Sequence, residues 1–571
     1  MVQSHSSSTV MGMTRRIRRT SFLSAVGAAL LAVALVPRTA LGRSRKESGA
    51  LALSARNVSR RYAGDRALFA TVSPGVPGRD TAAVRFTLNR PARVKLEAVR
   101  TALRKGSVIW ETSSTFRPGP QELTWTPESG TPVGSYVMRL TIDGAGGRQT
   151  VLGGRRPASA ARQQAAVVRV LGVEATFLRR SYAPGELMDL RILADAPALT
   201  LQFLHCGAEG QSTERNDELA GAPKGEPVPM DWTGKRSGPA TITVQTGDWP
   251  TGLYAARLTT DDGRVGFAPF VLRPAVPGAQ RQLVVLPTNT WQAYNFYDRD
   301  GDGWGDTWYA GGSPPVELDR PYRDRGVPPR FKAYDRAFLR WLIRIGKTPD
   351  IVADDDLEGY ATGDDLRALY DLVVFPGHSE YITGHAYDVI ERYRDLGGRL
   401  VFLSANNFFW RVEKDGSVMR RVRLWRNDGR PEARLCGVQY RANDDGTRQG
   451  PFTVVAAEAA PWLFEKTGLV TGSTFGETVG GYGIEIDTTT ADSPPGTTVL
   501  ARIPDLFGPG LSGEMTYYDT AAGARVFSAG VLDFGGSATF WPINRMLDNL
   551  WRHMLEDLPV TAPEPGAPSE A

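Results

Sequence analysis

Two patterns of apolar and polar residues divide the chain. From about residue 63 to residue 274, Val, Leu, Thr and Arg alternate, and Gly/Pro turns interrupt them; AAVRFTLNRPARVKLEAV is typical. Alternation with a period of two turns one set of side chains to a core and the other to water, so this half reads as antiparallel β-sandwiches. After RPAVPGAQR the pattern changes. QLVVLP, PDIVAD, DLVVFPG and RLVFLSAN are short continuous apolar runs, separated by the helical stretches YDRAFLRWLIRIGK, DDLRALY and GHAYDVIERYRDLGG. In the last of these, Val389, Ile390 and Tyr393 form one apolar face, Thr383 caps the start and Gly397–Gly398 end it. Strand–helix alternation predicts a parallel sheet with right-handed crossovers and functional groups at the carboxyl ends of its strands. EMTYYDTAAGARVFSAGVLDFGG reads as a closing hairpin and NRMLDNLWRHML as a terminal helix.

An internal repeat splits the first half. PVGSYVMRLTID (Pro132 to Asp143) and PTGLYAARLTTD (Pro250 to Asp261) keep Pro, Gly, Tyr, Arg, Leu, Thr and Asp at the same spacing. Each follows a tryptophan strand, QELTWTP or VPMDWTG, and Tyr136 or Tyr254 would open the inward face. Two tandem sandwiches, 63–160 and 165–274, account for this; the alternative is one larger sandwich with chance similarity. The first copy resembles the immunoglobulin-like fold of flagellar-hook-capping proteins. The expected organisation is a leader over 1–42, a polar linker over 43–62, the two sandwiches, an α/β domain over 281–558, and a disordered Pro/Glu/Ala-rich tail over 559–571.

Composition narrows the class. A chain of 571 residues with 41% hydrophobic content and 13 Trp is globular and multidomain. Its net charge of +5 is matched by Arg15, Arg16, Arg18, Arg19 and Arg38, which lie in a leader without acids. The basic balance therefore marks no nucleic-acid surface, and nucleic acid is dropped as a partner. The leader reads as an export signal: a basic start, an apolar stretch from Ala25 to Val36 too short to span a bilayer, and small residues at Ala40 and Gly42. Arg18–Arg19 followed by Phe22–Leu23 approximates a twin-arginine signal, so a periplasmic or extracellular location is expected; an ordinary secretory signal or an uncut anchor are the alternatives. No other segment reads as transmembrane. Cys206 and Cys436 are too few for a disulfide framework and read as small buried apolar residues.

Chemistry concentrates at the ends of three apolar runs. His378, Glu380 and Tyr381 follow DLVVFP, with His385 just beyond. Asn406, Asn407, Phe408, Phe409 and Trp410 follow RLVFLS, and Asn289, Trp291, Gln292 and Tyr294 follow LVVLP. Adjacent strands would bring these together as a polar, aromatic pocket. No cysteine nucleophile stands in the turn holding Ser404 and Asn406, no Gly-x-Ser-x-Gly elbow occurs, and two histidines cannot make a three-histidine zinc site. An oxygen-rich site of Tyr and Glu with one His remains, and iron accepts such donors. The bland reading is a loop whose Glu380 and His378 bond to backbone while Tyr381 packs on the next helix.

DLVVFPGHSEYIT, YRDLGGRLVFLSANNFFWRV, LWRNDGRPEARLCGVQY and GYGIEID, with TNTWQAYN, LDRPY and YDRAFLRWL, resemble the carboxyl-terminal region of the N,N-dimethylformamidase large (beta) subunit family; SYAPGELMDLRI and DWPTGLYAARL resemble its upstream β-domain. The resemblance covers about residues 165–556. It implies a glutamine-amidotransferase/flavodoxin-like sheet, a mononuclear iron held by two tyrosines and a glutamate, hydrolysis of a small amide to an amine and formate, and a small partner subunit. Tyr381 matches one iron-binding tyrosine, and Tyr334 is the candidate for the second. In SVMRRVRLWRN, Arg420 stands about where the glutamate belongs, with Glu413 or Glu485 as substitutes. If a metal binds, Glu380 or His378 would serve as base and then as proton donor, Asn406 as donor to the oxyanion, and Asn289, Trp291, Asn407 and Trp410 as substrate contacts.

DRDGDGWGD is a second motif. Asp298, Asp300, Asp302, the Trp304 carbonyl and Asp306 follow the first nine positions of a calcium loop, although Tyr309 replaces the usual glutamate at the twelfth. A structural calcium is expected; a solvated acidic turn is the alternative. The chain thus reads as a multidomain α+β protein, exported, hydrolysing an amide-like C–N bond, alone, as a homo-oligomer or with a small subunit. The rivals are a non-catalytic surface protein that binds glycans through aromatics such as Trp291, Trp304, Trp308 and Trp410, and a different hydrolase acting on peptidoglycan or a sugar amide.

Overall fold

The computed structural model describes residues 54–57, 69–101, 106–145, 147–153, 166–310, 313–444, 448–478 and 484–556. The leader expected to carry an export signal, most of the 43–62 linker and the 559–571 tail lie outside the described residues. Among the described residues no helix is long and apolar enough to cross a membrane. The protein is a multidomain, strand-rich α+β protein.

In the first β region, a sheet of Ser54–Asn57, Ala82–Leu88 and Gly119–Trp125 shares one core with a sheet built on Phe69–Val72, Val167–Val170, Gly134–Gly144, Ala92–Arg100 and Ser107–Phe116. Val84, Leu96, Trp125, Tyr136 and Val168 meet inside it. Two expectations change here. Ser54–Asn57, expected in the linker, pairs with Ala82–Arg85. Val167–Val170, expected at the start of the second sandwich, completes the first, running parallel to Phe69–Val72 and antiparallel to Gly134–Val137. The reason is burial: Val167, Val168 and Val170 need cover on both faces, and that position supplies it.

The second β region repeats the scheme around Leu190, Leu201, Trp232, Tyr254 and Phe270. The sequence repeat has a physical counterpart. Each repeat tyrosine is buried, and its hydroxyl reaches back to the turn proline: Tyr136 to the Pro132 carbonyl at 2.6 Å, Tyr254 to the Pro250 carbonyl at 2.8 Å. The Pro-x-Gly turn is thereby tied to the strand it launches.

The third region is built on a nine-stranded sheet. Asp350–Ala353, Gln282–Leu286, Leu372–Phe375, Arg399–Phe402 and Arg525–Ser528 run parallel in that order; Gly513–Asp519, Thr498–Ile503, Phe452–Val454 and Thr474–Phe475 continue it antiparallel. The expected closing hairpin exists but sits mid-sheet, because Phe527 and Met515 are fully buried. YDRAFLRWLIRIGK forms the expected helix as Arg336–Arg344; a short helix, Phe331–Tyr334, precedes it across a break at Asp335, whose carboxylate is buried. The Gly384–Asp395 helix forms as expected, with the Thr383 hydroxyl accepting from the Ala386 N–H and Gly397 at φ +84° past its end. Both cysteines are free and buried.

Two docking features fix the third region. Gln282–Leu286, Leu372–Phe375 and Arg399–Phe402 are neighbours, so the loops at their carboxyl ends share one edge. Against the second β region, the Phe267 N–H donates to the Arg325 carbonyl at 2.7 Å beside Gly326. Gly326 has φ +88°, and a Cβ there would lie 1.7 Å from the Phe267 carbonyl oxygen. Gly326→Ala is therefore expected to destabilise the protein by more than about 1 kcal/mol, seen as a lower urea midpoint; an unchanged midpoint would show that this contact carries no load.

Candidate functional site

Three loops leave the shared sheet edge. Gln282–Leu286 leads into the helix Thr288–Ala293, which carries Asn289 and Trp291 and ends at Tyr294. Leu372–Phe375 leads through Gly377 to His378, Glu380 and Tyr381. A Cβ at Gly377 would lie 2.2 Å from Asp335 Oδ1, so only glycine lets this loop pass. Arg399–Phe402 leads to Asn406–Phe408, where Asn406 and Phe408 both have φ +56°. Left-handed backbone at Phe408 is unfavourable and needs external bonds to hold it. Those bonds are visible: Asn406 N–H donates to both Asp487 oxygens at 2.8 and 3.0 Å, and Phe408 N–H to the Ser379 carbonyl at 2.8 Å.

The loops converge on a buried cluster. The Tyr294 hydroxyl donates to Glu380 Oε2. The Tyr381 hydroxyl donates to the Tyr294 hydroxyl at 3.3 Å. His378 Nε2 lies 3.0 Å from Glu485 Oε2 and 3.5 Å from Glu380 Oε2. Asn406 Nδ2 donates to Glu485 Oε2 at 2.9 Å, and the Glu380 N–H to Thr290 Oγ1 at 3.1 Å. Aromatic rings wall the cluster: Tyr309 stacks on Tyr294 at 3.7 Å, and Trp308 meets Tyr381 edge-on at 4.7 Å. Asn289 Oδ1, Ser379 Oγ, Asn406 Oδ1 and Asn407 Oδ1 are buried without a hydrogen-bond partner among the described residues. Such atoms are costly unless something else meets them.

Electrostatics follow from burial. Loss of water pushes Glu380 up to about 7, Glu485 pushes the same way, and His378 and the Tyr294 hydroxyl oppose. Burial, then the Glu380 charge, drives the Tyr381 and Tyr294 phenols well above the usual phenol range. Burial alone would lower His378, but Glu485, Glu380 and Asp487 together raise it. Burial lifts Asp487 to about 7 as well. Two carboxylates facing one imidazole can hold and pass a proton near neutral pH.

The candidate residues separate on inspection. His378, Glu380, Tyr381 and Asn406 belong to the cluster. Asn289 borders it, its Nδ2 donating to the Tyr381 carbonyl at 3.3 Å, and Asn407 is buried with Nδ2 on the Ser404 carbonyl at 2.9 Å. His385 is exposed on its helix and bonds the Tyr360 carbonyl at 2.7 Å. Trp291 is a core residue, its indole N–H on Asp335 at 3.2 Å, so it offers no ring to a substrate. Trp410 is half-buried under the Arg421 guanidinium. The phenol beside Tyr381 is Tyr294, whereas Tyr334 lines a neighbouring cavity and reaches the cluster electrostatically through Tyr309. Arg420 is exposed; Arg421 is the arginine that turns inward, over Trp308 and Trp410, where its charge favours ionised Glu380. Glu413 is 63% exposed and paired with Arg411, so Glu485 is the substitute carboxylate that reaches the cluster. Tyr294 was expected at this edge without an assigned role, whereas Tyr309 and Asp487 were not expected in the site. A readable signal existed for one: in the strand Glu485–Thr488, Glu485 and Asp487 alternate with the fully buried Ile486, which turns both acids to one face.

The acidic loop is a separate feature. Carboxylate oxygens of Asp298, Asp300 and Asp302 lie within 4.8 Å of one another. Asp298 accepts from the Gly301 and Gly303 N–H groups at 2.9 and 3.0 Å, Asp302 from Trp304 N–H at 2.8 Å, and Asp306 from Arg299 N–H at 3.1 Å. Burial and its acidic neighbours push Asp298 up to about 7, against a hydrogen bond from Ser135.

A mixed α/β sheet with buried phenols and carboxylates beyond the carboxyl ends of its parallel strands defines the class, and comparison with known proteins defines the family. The chain belongs to the N,N-dimethylformamidase beta subunit-like family, whose C-terminal region matches residues 223–546. It is 26% identical over 327 residues to the N,N-dimethylformamidase beta subunit of Paracoccus aminophilus and 24% identical over 328 residues to that of Alcaligenes sp.. Each match covers 46% of this chain and 42% of the relative, so the match spans less than half the length of these curated relatives. Among solved structures, the adhesin InvE of Yersinia pseudotuberculosis matches at 14% identity over 39% of this chain and 58% of that one, with a TM-score of 0.15, too low to inform the fold.

Asp335 offers a test of the buried charges. Burial raises it to about 7, opposed by the Trp291 indole and by His378. A carboxyl whose folded pKa exceeds its unfolded value near 4 favours folding in its protonated form. Its contribution is therefore lost as pH rises from about 4 to about 7. Asp335→Asn is expected to flatten stability across that window, measured by urea denaturation at each pH; an unaltered pH profile would count against the burial argument.

Proposed function

We propose that the protein is a hydrolase of an amide-like C–N bond whose reactive centre is the Tyr294–Tyr381–Glu380–Glu485–His378 cluster. The observation that carries this reading is the burial of two carboxylates around one imidazole, against two phenols, at a sheet edge shared by three loops. Family membership supports it, because the matched relatives are dimethylformamidase subunits.

The donor set suits an iron ion. Two phenols, two carboxylates and buried amide oxygens without partners are hard oxygen donors, and burying that much negative charge is costly without a cation. Tyr381, Tyr294 and the carboxylates Glu380 and Glu485 would hold the metal. When bound, iron would polarise the amide carbonyl and lower the pKa of water. His378, lifted by its carboxylate neighbours, accepts a proton from water and returns it to the departing amine. Asn406, pinned through its backbone to Asp487, holds its side chain at Glu485 and borders the position of the reacting carbonyl. Trp308 and Tyr309 exclude bulk water.

The finer fold reading belongs here too. The paired tyrosine-to-turn bonds support two immunoglobulin-like sandwiches, and the five parallel strands support an amidotransferase-like third domain. Calcium at Asp298, Asp300, Asp302, the Trp304 carbonyl and Asp306 is a proposal of the same standing, as are export and a small partner subunit. The support for calcium is the close approach of three carboxylates, one of them largely desolvated. Added calcium is expected to raise Tm by several degrees, and Asp300→Asn to abolish that rise; an equal rise in the variant would remove the site.

The reading is tested on the purified full chain. A phenolate-to-iron absorption band in the visible is expected, weakened in both Tyr381→Phe and Tyr294→Phe. His378→Gln is expected to lower kcat on simple formamides by about 100-fold or more with the band retained. Iron-free protein without amidase activity that instead retains polysaccharide would favour the glycan-binding alternative.

A further inference from the structure

Three consecutive residues join the cluster to a turn outside it. Thr288, Asn289 and Thr290 open the six-residue helix that ends at Tyr294, and all three are buried. On one side they reach the site. The Asn289 side-chain amide donates to the Tyr381 carbonyl at 3.3 Å, and Thr290 Oγ1 accepts from the Glu380 N–H at 3.1 Å. On the other side they reach Asp354. The Thr288 hydroxyl donates to Asp354 Oδ1 at 2.5 Å, and the Asn289 N–H to Asp354 Oδ2 at 2.9 Å. Hydrogen bonds to an ionised carboxylate are the strong ones, and both oxygens here hold the same stretch of chain. A helix this short has little stability of its own, so the groups at its ends decide where it lies.

Asp354 opens the helical turn Asp354–Gly359, which follows the edge strand Asp350–Ala353. The same turn grips the segment of the second phenol. Glu358 accepts from the hydroxyl of Thr383, the last residue of the strand Tyr381–Thr383. Asp355 pairs with Lys414 of Trp410–Asp415, the strand parallel to Tyr381–Thr383. One turn therefore holds the helix that ends at Tyr294 and the strand that begins at Tyr381. The second β region reaches it as well: Arg180 pairs with Asp355, and its Nε donates to Thr288 Oγ1 at 3.1 Å.

We propose that Asp354 is a positioning residue, which through Thr288 and Asn289 sets the distance between the Tyr294 and Tyr381 hydroxyls. That distance is 3.3 Å, between groups on two separate segments of chain. The inference rests on the hydrolase reading for its catalytic consequence; its geometric consequence stands without it. Asp354 acts on the reacting groups only through the backbone that carries them. Arg180 gives the second β region a share in the same turn.

The test uses the full chain. Asp354→Asn keeps the shape of the side chain and loses one of its two acceptors. Thr288→Val removes the hydroxyl, and Thr288→Ser keeps it. Asp350→Asn is the control, because Asp350 is a buried carboxylate at the opposite end of the same strand, bonded to the Gly278 N–H and the Tyr370 hydroxyl at 2.8 Å each. In crystal structures of Asp354→Asn and Thr288→Val the two phenol hydroxyls are expected about 1 Å further apart, with kcat on formamides about 100-fold lower and KM unchanged. Thr288→Ser and Asp350→Asn are expected to keep the separation and kcat of the unaltered protein, although Asp350→Asn lowers Tm. If Asp354→Asn does not fold, the Thr288 pair decides. An unchanged separation in Thr288→Val, or an equal displacement in Asp350→Asn, would overturn the proposal. Displaced hydroxyls in a protein that hydrolyses no formamide would sink the hydrolase reading and leave this one standing. Undisplaced hydroxyls in an active enzyme would do the reverse.

Discussion

The contact on which the rest of the site depends is between a buried carboxylate and a buried phenol, Glu380 and Tyr294. Both are removed from water. Desolvating an ionised carboxylate costs several kcal/mol, so the fold must supply donors, a proton or a cation in return. Tyr294 supplies one hydrogen bond and His378 a partial charge 3.5 Å away, while the Glu380 N–H donates to Thr290 Oγ1 and holds the backbone in place. Glu485 works in the opposite direction by placing a second carboxylate on the same imidazole. A sequence shaped only for stability would replace such a cluster with hydrocarbon. Its retention at a sheet edge is the physical reason for reading it as chemistry.

The surrounding fold is arranged to keep that contact in place. Three neighbouring parallel strands deliver the three loops. Gly377 lets one pass over Asp335, and Asp487 grips the left-handed backbone of another. The small sheet that includes Tyr381–Thr383 runs parallel to Trp410–Val412, so the phenol of Tyr381 is carried on a strand and not on a free loop. The acidic loop packs on the first β region, where Thr101 Oγ1 donates to the Gly303 carbonyl at 2.7 Å. The first β region is thereby coupled to the segment that follows Tyr294.

Much of this was legible in the sequence, and the reasons for the rest are specific. Period-two alternation and the Pro-x-Gly-x-Tyr repeat disclosed the β regions, because both patterns report local geometry. The strand edges were misjudged where pairing is non-local: nothing in VVRV says which sheet will cover it, and Ser54–Asn57 gains its strand only from Ala82–Arg85. His378, Glu380 and Tyr381 stood out because they follow an apolar run. Glu485 comes from a strand more than a hundred residues later, and its approach to His378 depends on how Glu485–Thr488 pairs with Gln439–Asn443. Arg420 looked like the residue in the glutamate's place, yet strand alternation exposes it and turns Arg421 inward.

One measurement bears most directly on the account: anomalous X-ray diffraction at the iron edge from crystals of protein produced in iron-sufficient cells. The account predicts a single strong peak within bonding distance of the Tyr381 hydroxyl and of a carboxylate from Glu380 or Glu485. Catalytically active crystals with no peak there, and with Tyr294 still closed on Glu380, would contradict it.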